Sequence, residues 1–386
     1  MNNFPRFGRA RRGDFPLAEG IDHLNHGSFG ATPRVVLAEA ARWRERMEAD
    51  PSAFVRRELF PGLRGAAARV AQSFGGTGED WAFVENATAG LNAIVGSLAL
   101  EPGDEILCLS QIYGAIANTL RHRAERVGAR IVTVPVPVPF TDPAPLLAAI
   151  AAAFGPHTRL ALFDHVTSTG ATVLPLCQMA ALCRNAGVPV AVDGAHAPGM
   201  IALDVPALGV DWYVGNLHKW AFAAKGTAIV WCAPQHRASL HPVTISHDLG
   251  RGFPAEFDWT GTRDNAAWLA APAALDYLDG LDAIALRAHN DALAAEAGAT
   301  IAAAWGTETA ASPAFSAAMA SVRLPGSEGL GRDDAHRLAA RLSEEHRITV
   351  AVMALAGALW VRVSAQIYNE IADYRRLAAI APRLLG

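Results

Sequence analysis

Short runs of residues that are apolar on both faces recur between residues 81 and 231, and most are separated by helical stretches rich in alanine and leucine. Strands of a parallel sheet covered by helices are buried on both faces, so this pattern predicts an α/β fold with a largely parallel sheet. Two helices, 35–48 and 63–74, are predicted ahead of the first strand. The predicted strands are 81–85, 105–109, 130–134, 159–164, 188–193, 212–214 and 227–231.

The pattern changes beyond residue 265. Long alanine-rich helical segments reach about residue 304, and strands are then predicted at 319–324, 348–353 and 359–363, which together indicate a smaller α+β domain. A chain of 386 residues also exceeds the size at which single cores stop growing. The predicted division is an N-terminal arm (1–20), a large domain (21–264) whose N-terminal segment contributes to the small one, and a C-terminal small domain (265–386) with its connecting long helix.

The composition is ordinary for a soluble globular protein, with 51% hydrophobic and 18% charged residues. The net charge of -4 arises from mixed signs without a basic stripe or polybasic run, which argues against nucleic-acid and membrane partners and favours a small molecule. The basic N-terminus lacks the apolar segment of a signal peptide, and no later run is long and uncharged enough to span a bilayer. We therefore expect a cytoplasmic protein.

Cysteine and lysine are both scarce. The cysteines, Cys108, Cys177, Cys183 and Cys232, lack the pairing of a zinc site and are too sparse for a disulfide framework, so we expect buried reduced thiols and no metal site. Among 33 basic residues only Lys219 and Lys225 are lysines. Because arginine supplies charge throughout this chain, a retained lysine suggests a task that needs a primary amine.

Three segments carry candidate chemistry. Asp193 ends a buried strand, in a topology where ligands bind outside the carboxyl ends of the strands. Lys219 lies between apolar and aromatic residues, which lowers the pKa of its amine and makes it a nucleophile. Thr88 stands where a strand gives way to a helix at 91–100, a typical anion site.

Each segment alone has an ordinary explanation: Asp193 as a capping acid, Lys219 as a surface lysine and Thr88 as a helix cap. Together, in this chain order, they meet the needs of pyridoxal phosphate. Its phosphate requires fixed donors, its pyridine nitrogen requires an acid that keeps it protonated, and its aldehyde requires an amine.

Other chemistries find less support in the sequence. The segment around Ser28, Gly-Ser-Phe-Gly, lacks the spacing and the preceding strand of a hydrolase nucleophile elbow. Residues 75–78, Gly-Gly-Thr-Gly, do not match a dinucleotide-binding fingerprint. A protein that binds the cofactor without catalysis remains an alternative, although no DNA-binding module of a regulator is visible.

The order of motifs resembles the class V aminotransferases, which are pyridoxal-phosphate enzymes of fold type I. The resemblance extends from about Asn25 to Asp373. The N-terminal motif resembles the isopenicillin N epimerase branch, which also includes carbon–sulfur lyases. The resemblance to the class V family rests on these segments: Leu24-Asn25-His26-Gly27-Ser28-Phe29-Gly30, Asn86-Ala87-Thr88, Asp193-Gly194-Ala195-His196, His218-Lys219, Trp259-Thr260-Gly261-Thr262-Arg263, Arg362-Val363-Ser364 and Tyr368-Asn369.

The resemblance implies a role for each site residue. Lys219 would be the catalytic Schiff-base lysine, and Asp193 the partner of the pyridine nitrogen. Thr88, the amides of Ala87 and Thr88, and His218 would hold the phosphate. His196 stands where many relatives have a glutamine that faces the ring hydroxyl. The remaining expected cofactor contacts are Asn86, Tyr113, Thr169, Asn216 and Thr262.

Tyr113 matches the aromatic residue that stacks on the cofactor ring, although on sequence alone a core tyrosine is equally possible. Arg362 matches the arginine that binds the substrate carboxylate, and Asn25 and Arg57 are further expected substrate contacts. Arg56 and Arg57 could equally be solvated charges on a helix. In the family, a Gly-Thr segment of the other subunit reaches the phosphate; here this maps onto Gly261 and Thr262 and implies a homodimer with the active site at its interface.

The resemblance also defines the possible reactions. Removal of the Cα proton of an amino acid by Lys219 is common to all of them. Reprotonation on the opposite face gives epimerisation or racemisation, which we expect here; loss of a β-sulfur group gives a carbon–sulfur lyase, and reprotonation at the cofactor gives an aminotransferase. Since no cysteine follows Cys232, the persulfide route of the cysteine desulfurases is disfavoured.

Overall fold

The computed structural model describes residues 7–385, so the first six residues of the predicted N-terminal arm and Gly386 lie outside the described part. Seven strands form the central sheet in the order β2-β8-β7-β6-β5-β3-β4, and only β8 runs against the others. The mostly parallel seven-stranded sheet is thereby confirmed. The strands are β1 (Asp22–His23), β2 (Trp81–Val84), β3 (Glu105–Leu109), β4 (Arg130–Val134), β5 (Thr158–Asp164), β6 (Val190–Asp193), β7 (Trp212–Asn216), β8 (Ala228–Cys232), β9 (Met319–Arg323), β10 (Ile348–Thr349), β11 (Ala351–Leu355) and β12 (Ala358–Ser364).

Helices cover the sheet and build the rest of the chain. Most connections between the parallel strands contain an α-helix, whereas the connection from β6 to β7 contains only a short 3-10 helix at Pro206–Leu208. The α-helices are α1 (His26–Phe29), α2 (Arg34–Ala49), α3 (Pro51–Phe54), α4 (Phe60–Phe74), α5 (Ala87–Ser97), α6 (Gly114–Val127), α7 (Ala144–Ala153), α8 (Leu176–Ala186), α9 (Ala255–Asp258), α10 (Ala266–Leu269), α11 (Ala271–Gly280), α12 (Ala283–Trp305), α13 (Arg332–His346) and α14 (Ile371–Ile380).

Successive side chains of the central strands enter cores on opposite sides of the sheet, which explains why these strands are apolar on both faces. In β3, Ile106 and Cys108 are buried in the core on one side of the sheet, while Leu107 and Leu109 are buried in the core on the other. Successive side chains of a strand point to opposite faces, so a sheet with helices on both sides needs apolar residues at every position. This is the pattern from which the sheet was predicted.

A second core lies under a three-stranded antiparallel sheet in the order β11-β12-β9. Helix α12 packs on β9 and α13 packs on β11. The N-terminal segment joins this core, because β1 pairs in parallel with β10 and Leu24 is buried in the same core as Val361. The segment that begins at Asn25 is thus anchored to the C-terminal part of the chain.

The core changes later along the chain than residue 265. Helices α10 and α11 pack against α2 and α4, and Trp268 and Leu275 belong to the core of the large sheet. Helix α12 is the first C-terminal element that packs on the small sheet. The domain division itself remains a prediction.

Two predicted elements differ in the structure. The strand predicted at 348–353 is divided into β10 and β11, because its first part pairs with β1 and its second part with β12. The helix predicted at 63–74 begins earlier: α3, a π-helical turn at Val55–Leu59 and α4 follow one another without a break. A π turn interrupts the helical spacing, so periodicity alone detects only the regular part.

One expectation about the cysteines was wrong. Cys108, Cys183 and Cys232 are buried, but Cys177 is exposed on the first turn of α8. Among residues 7–385, no helix is both long and apolar enough to cross a membrane.

Candidate active site

A cavity of about 410 Å³ opens at the carboxyl ends of the parallel strands β5, β6 and β7. This edge is where ligands bind in open α/β sheets. Nine residues predicted from the sequence line it: Asn86, Ala87, Thr88, Tyr113, Asp193, His196, Asn216, His218 and Lys219.

Asp193 is the last residue of β6 and is 4% exposed. Its Oδ1 accepts a hydrogen bond from the Ala195 N–H at 3.0 Å. Burial raises the pKa of the Asp193 carboxyl, an effect that the Ala195 amide and the charge of Lys219 oppose. A Cβ at Gly194 would lie within 2.3 Å of the Tyr213 ring, so only glycine lets the chain leave β6 this close to β7.

Lys219 follows β7 and is half-buried, with its side chain bordering the cavity. Burial, and then the charge of Arg362, lower the pKa of Lys219 from 10.5 to about 7, and the charge of Asp193 opposes the shift. A neutral amine, the form that attacks a carbonyl, is therefore well populated near pH 7. The Lys219 Nζ lies 3.3 Å from Nε2 of His196.

The backbone at Lys219 is fixed by the N-terminal segment. The His26 Nε2–H donates to the Lys219 carbonyl at 3.0 Å, and its Nδ1 lies 2.8 Å from the Tyr368 hydroxyl. Gly30 has a φ of +61°, and a Cβ there would stand 2.3 Å from the carbonyl oxygen of His218. The glycine of the motif is thus required by close approach to the lysine loop.

The start of α5 forms another wall of the cavity. The Asn86 side chain caps the helix by accepting from the Ala89 N–H at 2.9 Å. The Ala87 N–H donates to Oδ1 of Asn216 at 2.8 Å and joins α5 to the end of β7. The predicted use of the Ala87 amide for phosphate therefore competes with this bond, whereas Thr88 also lines the cavity.

His218 is held by the strand that follows it. Its Nδ1–H donates to the Thr227 carbonyl at 2.8 Å. Burial lowers the pKa of His218 to about 4, with smaller contributions from Lys219 and Lys225. Without a ligand the imidazole is thus neutral at pH 7, and its Nε2 is an acceptor.

Arg362 lies behind the cavity in β12 and is 2% exposed. Its guanidinium donates to the carbonyl (2.6 Å) and hydroxyl (3.1 Å) of Ser168 and to the hydroxyl of Ser28 (2.9 Å), with Asn25 Oδ1 at 3.4 Å. No carboxylate within residues 7–385 pairs with it, and its Nε has no partner there. Burial lowers the pKa of Arg362 to about 10. A buried cation without a counter-ion is a site for an anion.

Besides Arg362 and Asn25, which lie behind the cavity, three further predicted site residues do not line it. Thr169 is half-buried next to Ser168, and Thr262 is exposed. Arg57 is exposed on the π-helical turn, as is Arg56. Within residues 7–385, no group of three or more histidine, cysteine or acidic residues could hold a metal ion.

A comparison with protein families identifies the family to which this chain belongs. The family described as "Aminotransferase class-V" matches residues 31–377. The chain belongs to this family. A class V member is a pyridoxal-phosphate enzyme, so the predicted family, fold type and cofactor are confirmed.

This class V chain has relatives with two activities. It is 33% identical over 393 residues to the isopenicillin N epimerase of Streptomyces clavuligerus, covering 97% of this chain and 98% of the relative. It is 32% identical over 407 residues to a putative L-cysteine desulfhydrase of Oryza sativa subsp. japonica, covering 95% and 84%. Among solved structures, C-DES with glycine covalently linked to its pyridoxal phosphate has a TM-score of 0.82 at 22% identity, covering 97% and 98% of the two chains; this likeness shows the fold.

The cavity fits the cofactor of the class V family. It holds a buried amine whose pKa is lowered to about 7, a carboxylate at the end of a buried strand, and a capped helix start with a threonine hydroxyl. Tyr113 borders the cavity and is 49% exposed. Its half-open ring is accessible for stacking, unlike that of a core tyrosine.

Sequence reasoning missed three residues of the class V site. Ser28 and Ser168 hold Arg362, and Asp164 lines the cavity beside Asp193. Ser28 lies within the N-terminal motif of the resemblance, but its own side chain was considered only as a hydrolase nucleophile. Asp164 ends a buried strand as Asp193 does, so the same signal could have found it.

Proposed function

We propose that the predicted residues hold pyridoxal phosphate as follows. Lys219 would hold the aldehyde, and Asp193 would hold the ring nitrogen. Thr88 and His218 hold the phosphate, with Asn86, Ala87 and Asn216 shaping the start of α5 around it. Tyr113 would hold the face of the ring, and His196 and Thr169 would hold its hydroxyl. The bound cofactor supplies an electron sink for charge at the substrate's Cα.

The proposed activity is that of an epimerase or racemase acting at the Cα of an amino acid. The observation that carries it is that a neutral amine at Lys219 lies near the buried guanidinium of Arg362, which has no carboxylate partner within residues 7–385. The two groups are close enough for Arg362 to lower the pKa of the amine. Arg362, supported by Asn25, binds the α-carboxylate as a bidentate fork. Lys219 is then the base that takes the Cα proton. Arg57 remains proposed as a further substrate contact.

A carbon–sulfur β-lyase is the second candidate, because the desulfhydrase from rice is about as similar as the epimerase. No cysteine lines the described cavity, so a route that transfers sulfur to an enzyme thiol lacks its acceptor. A lyase that releases the β-sulfur group directly needs no such thiol. The first step, with Lys219 and Arg362 in the roles above, is the same for both candidates.

The deciding experiment incubates the holoenzyme with single amino acids in deuterium oxide. An epimerase gives Cα deuteration with inversion, a lyase gives pyruvate and sulfide from cysteine or cystine, and an aminotransferase gives the intact keto acid. If no amino acid exchanges its Cα proton, the proposal is wrong.

Lys219→Ala and Lys225→Ala form the matched pair of variants, since these are the two lysines of the chain. Borohydride reduction of the holoenzyme should add the cofactor's mass to the peptide that contains Lys219. The Lys219→Ala variant should lose both this label and Cα exchange, and Lys225→Ala should retain both.

We also propose a homodimer in which Gly261 and Thr262 reach the partner's phosphate site. Thr262 is exposed, as a contact with another subunit requires. A neighbouring cavity of about 400 Å³ shares Asn86 and Thr88 with the active site and is bordered by the exposed Val243. Light scattering should give twice the mass of the chain. Mixed dimers of Lys219→Ala and Thr262→Trp subunits should regain activity that neither variant has alone.

A further inference from the structure

Asp164 ends β5 as Asp193 ends β6. The two strands are parallel neighbours, and the two aspartates are direct register partners. Register partners present their side chains on the same face of a sheet. Both carboxyls line the active-site cavity, and the residues are 2% and 4% exposed. The site therefore contains two buried acids side by side, of which the cofactor chemistry described above uses one.

One oxygen of Asp164 lacks a hydrogen-bond partner. Its Oδ2 is buried and accepts no bond from any group in residues 7–385. An ionised carboxylate with an unsatisfied buried oxygen is strongly unfavourable, whereas a protonated one becomes a donor and needs only an acceptor nearby. Burial, and then the charge of Asp193, raise the pKa of Asp164 well above its usual range.

The surroundings decide which acid of the pair holds the proton. Asp193 is stabilised as an anion by the Ala195 N–H, which donates to its Oδ1 at 3.0 Å, and further by the fraction of Lys219 that is protonated near pH 7. Around Asp164, the groups that favour ionisation are the backbone amides of Asp164 and Tyr113, and the charged neighbour that acts on it is Asp193. The Cys108 thiol, on the other side in β3, has its pKa raised and is neutral. The proton therefore belongs on Asp164.

We propose that Asp164 is a positioning acid of this site, which stays protonated at neutral pH. Its Oδ2 donates a hydrogen bond to the neighbouring Asp193 carboxylate, so the pair carries one negative charge. Two neighbouring carboxyls that share one proton follow the general behaviour of like charges in a buried site. The donated bond favours the ionised form of Asp193.

The protonation of Asp164 does not depend on any activity of the protein. Its consequence for the cofactor does rest on the proposed function, in which Asp193 faces the ring nitrogen. An ionised Asp193 is required to keep that nitrogen charged. Without the donor at 164, the ionised form of Asp193 would be less favoured, and its bond to the ring nitrogen would weaken.

Infrared spectroscopy at pH 7 tests the protonation directly, in both the cofactor-loaded and the cofactor-free protein. A protonated carboxyl has a carbonyl band separate from that of carboxylates, and the band shifts in deuterium oxide. We expect this band in the parent protein, its loss in Asp164→Asn, and its retention in the distant control Asp258→Asn. Absence of the band from the parent, or its loss in Asp193→Asn with retention in Asp164→Asn, overturns the proposal.

Cofactor affinity tests the consequence with two replacements of nearly equal size. Asp164→Asn keeps a neutral donor, and its dissociation constant should stay within about threefold of the parent's. Asp164→Leu removes the donor and should weaken binding by about tenfold to a hundredfold. Equal affinities for the two variants would refute the donor role. If Asp164→Leu does not fold, the infrared band still decides the protonation state. If the parent binds no cofactor, the proposed function fails while the infrared result stands.

Discussion

The imidazole of His196 lies between Lys219 and Trp220. Its Nδ1 accepts from the Trp220 indole N–H at 3.4 Å, and its Nε2 lies 3.3 Å from the Lys219 Nζ. Since Nδ1 is an acceptor and burial holds the pKa of His196 well below its usual range, the imidazole is neutral and its proton is on Nε2. An Nε2–H that faces the lysine requires a lone pair on Nζ. The histidine thus favours the neutral amine.

A neutral buried lysine should cost the cofactor-free protein stability. Between pH 7 and 10.5 the unfolded chain binds a proton at Lys219 that the folded chain does not, so the free energy of unfolding rises with pH over this range. We expect Lys219→Met to stabilise the cofactor-free protein by roughly 3 kcal/mol at pH 8, measured by urea denaturation. The gain should shrink toward zero near pH 10.5.

Lys225→Met is the control for this comparison. Lys225 is less buried, donates to the Thr32 hydroxyl at 3.1 Å, and has its pKa lowered by burial to a smaller extent. Its replacement should stabilise the protein less than Lys219→Met does. A Lys219→Met variant that is less stable than the parent at pH 8 would show that the amine is charged and paired.

Arg362 should distinguish amino acids from simple amines. Removal of one partner of a buried charge pair costs several kcal/mol, so Arg362→Gln should lower kcat/KM for an amino acid by about a hundredfold or more. The effect on the corresponding amine without a carboxylate should be small. Arg362→Lys should rescue only part of the loss, because an ammonium cannot form the bidentate fork.

Arg323→Gln in β9 is the matched control, since Arg323 forms exposed ion pairs with Glu308 and Glu328. It should leave the preference for amino acids intact. Equal losses on the amino acid and on the amine in Arg362→Gln would mean that Arg362 supports the fold rather than the carboxylate.

Asn216 should separate stability from cofactor binding. Its Oδ1 accepts the Ala87 N–H, so Asn216→Ala should lose about 1–2 kcal/mol of unfolding free energy. Asn216→Asp keeps the acceptor and adds a negative charge near a helix start, which preserves stability. The same charge repels a phosphate and should weaken cofactor binding by more than about tenfold. Unchanged affinity in Asn216→Asp would place the phosphate elsewhere.

The parts of the site that could be predicted depend on local sequence. Asp193 ends an apolar strand, and Lys219 has apolar neighbours; both signals lie within a few residues. The hydrogen bonds that hold Arg362 could not be predicted from local sequence, because Ser28 and Ser168 are 334 and 194 residues from it in the chain. Only the folded packing of the N-terminal segment and the loop after β5 brings these groups together.

Prediction of the fold is likewise limited to features that local sequence shows. The central strands were found because burial on both faces leaves an apolar run that is visible in sequence. The break between β10 and β11 depends on the pairing of β10 with β1, more than 300 residues earlier in the chain. The residues around Val350 therefore give no sequence signal for this break. The boundary between the two cores likewise depends on which helices α10 and α11 contact.

His218 should make cofactor binding depend on pH. In the cofactor-free protein the pKa of His218 is about 4, so its imidazole is neutral at pH 7. With Nδ1–H bound to the Thr227 carbonyl, the Nε2 can donate to a phosphate only after it gains a proton. Binding should therefore take up a proton at this residue. Its contribution to affinity should fall about tenfold per pH unit above pH 4, up to the pKa of the complex.

Calorimetry in buffers with different ionisation enthalpies counts the protons taken up on binding. His218→Asn keeps a donor for Thr227 but cannot be protonated, so it should take up about one proton fewer than the parent at pH 7. His236→Asn, which removes a histidine paired with Asp211 outside the site, should match the parent. If the parent and His218→Asn take up equal numbers of protons, His218 does not hold the phosphate as a cation.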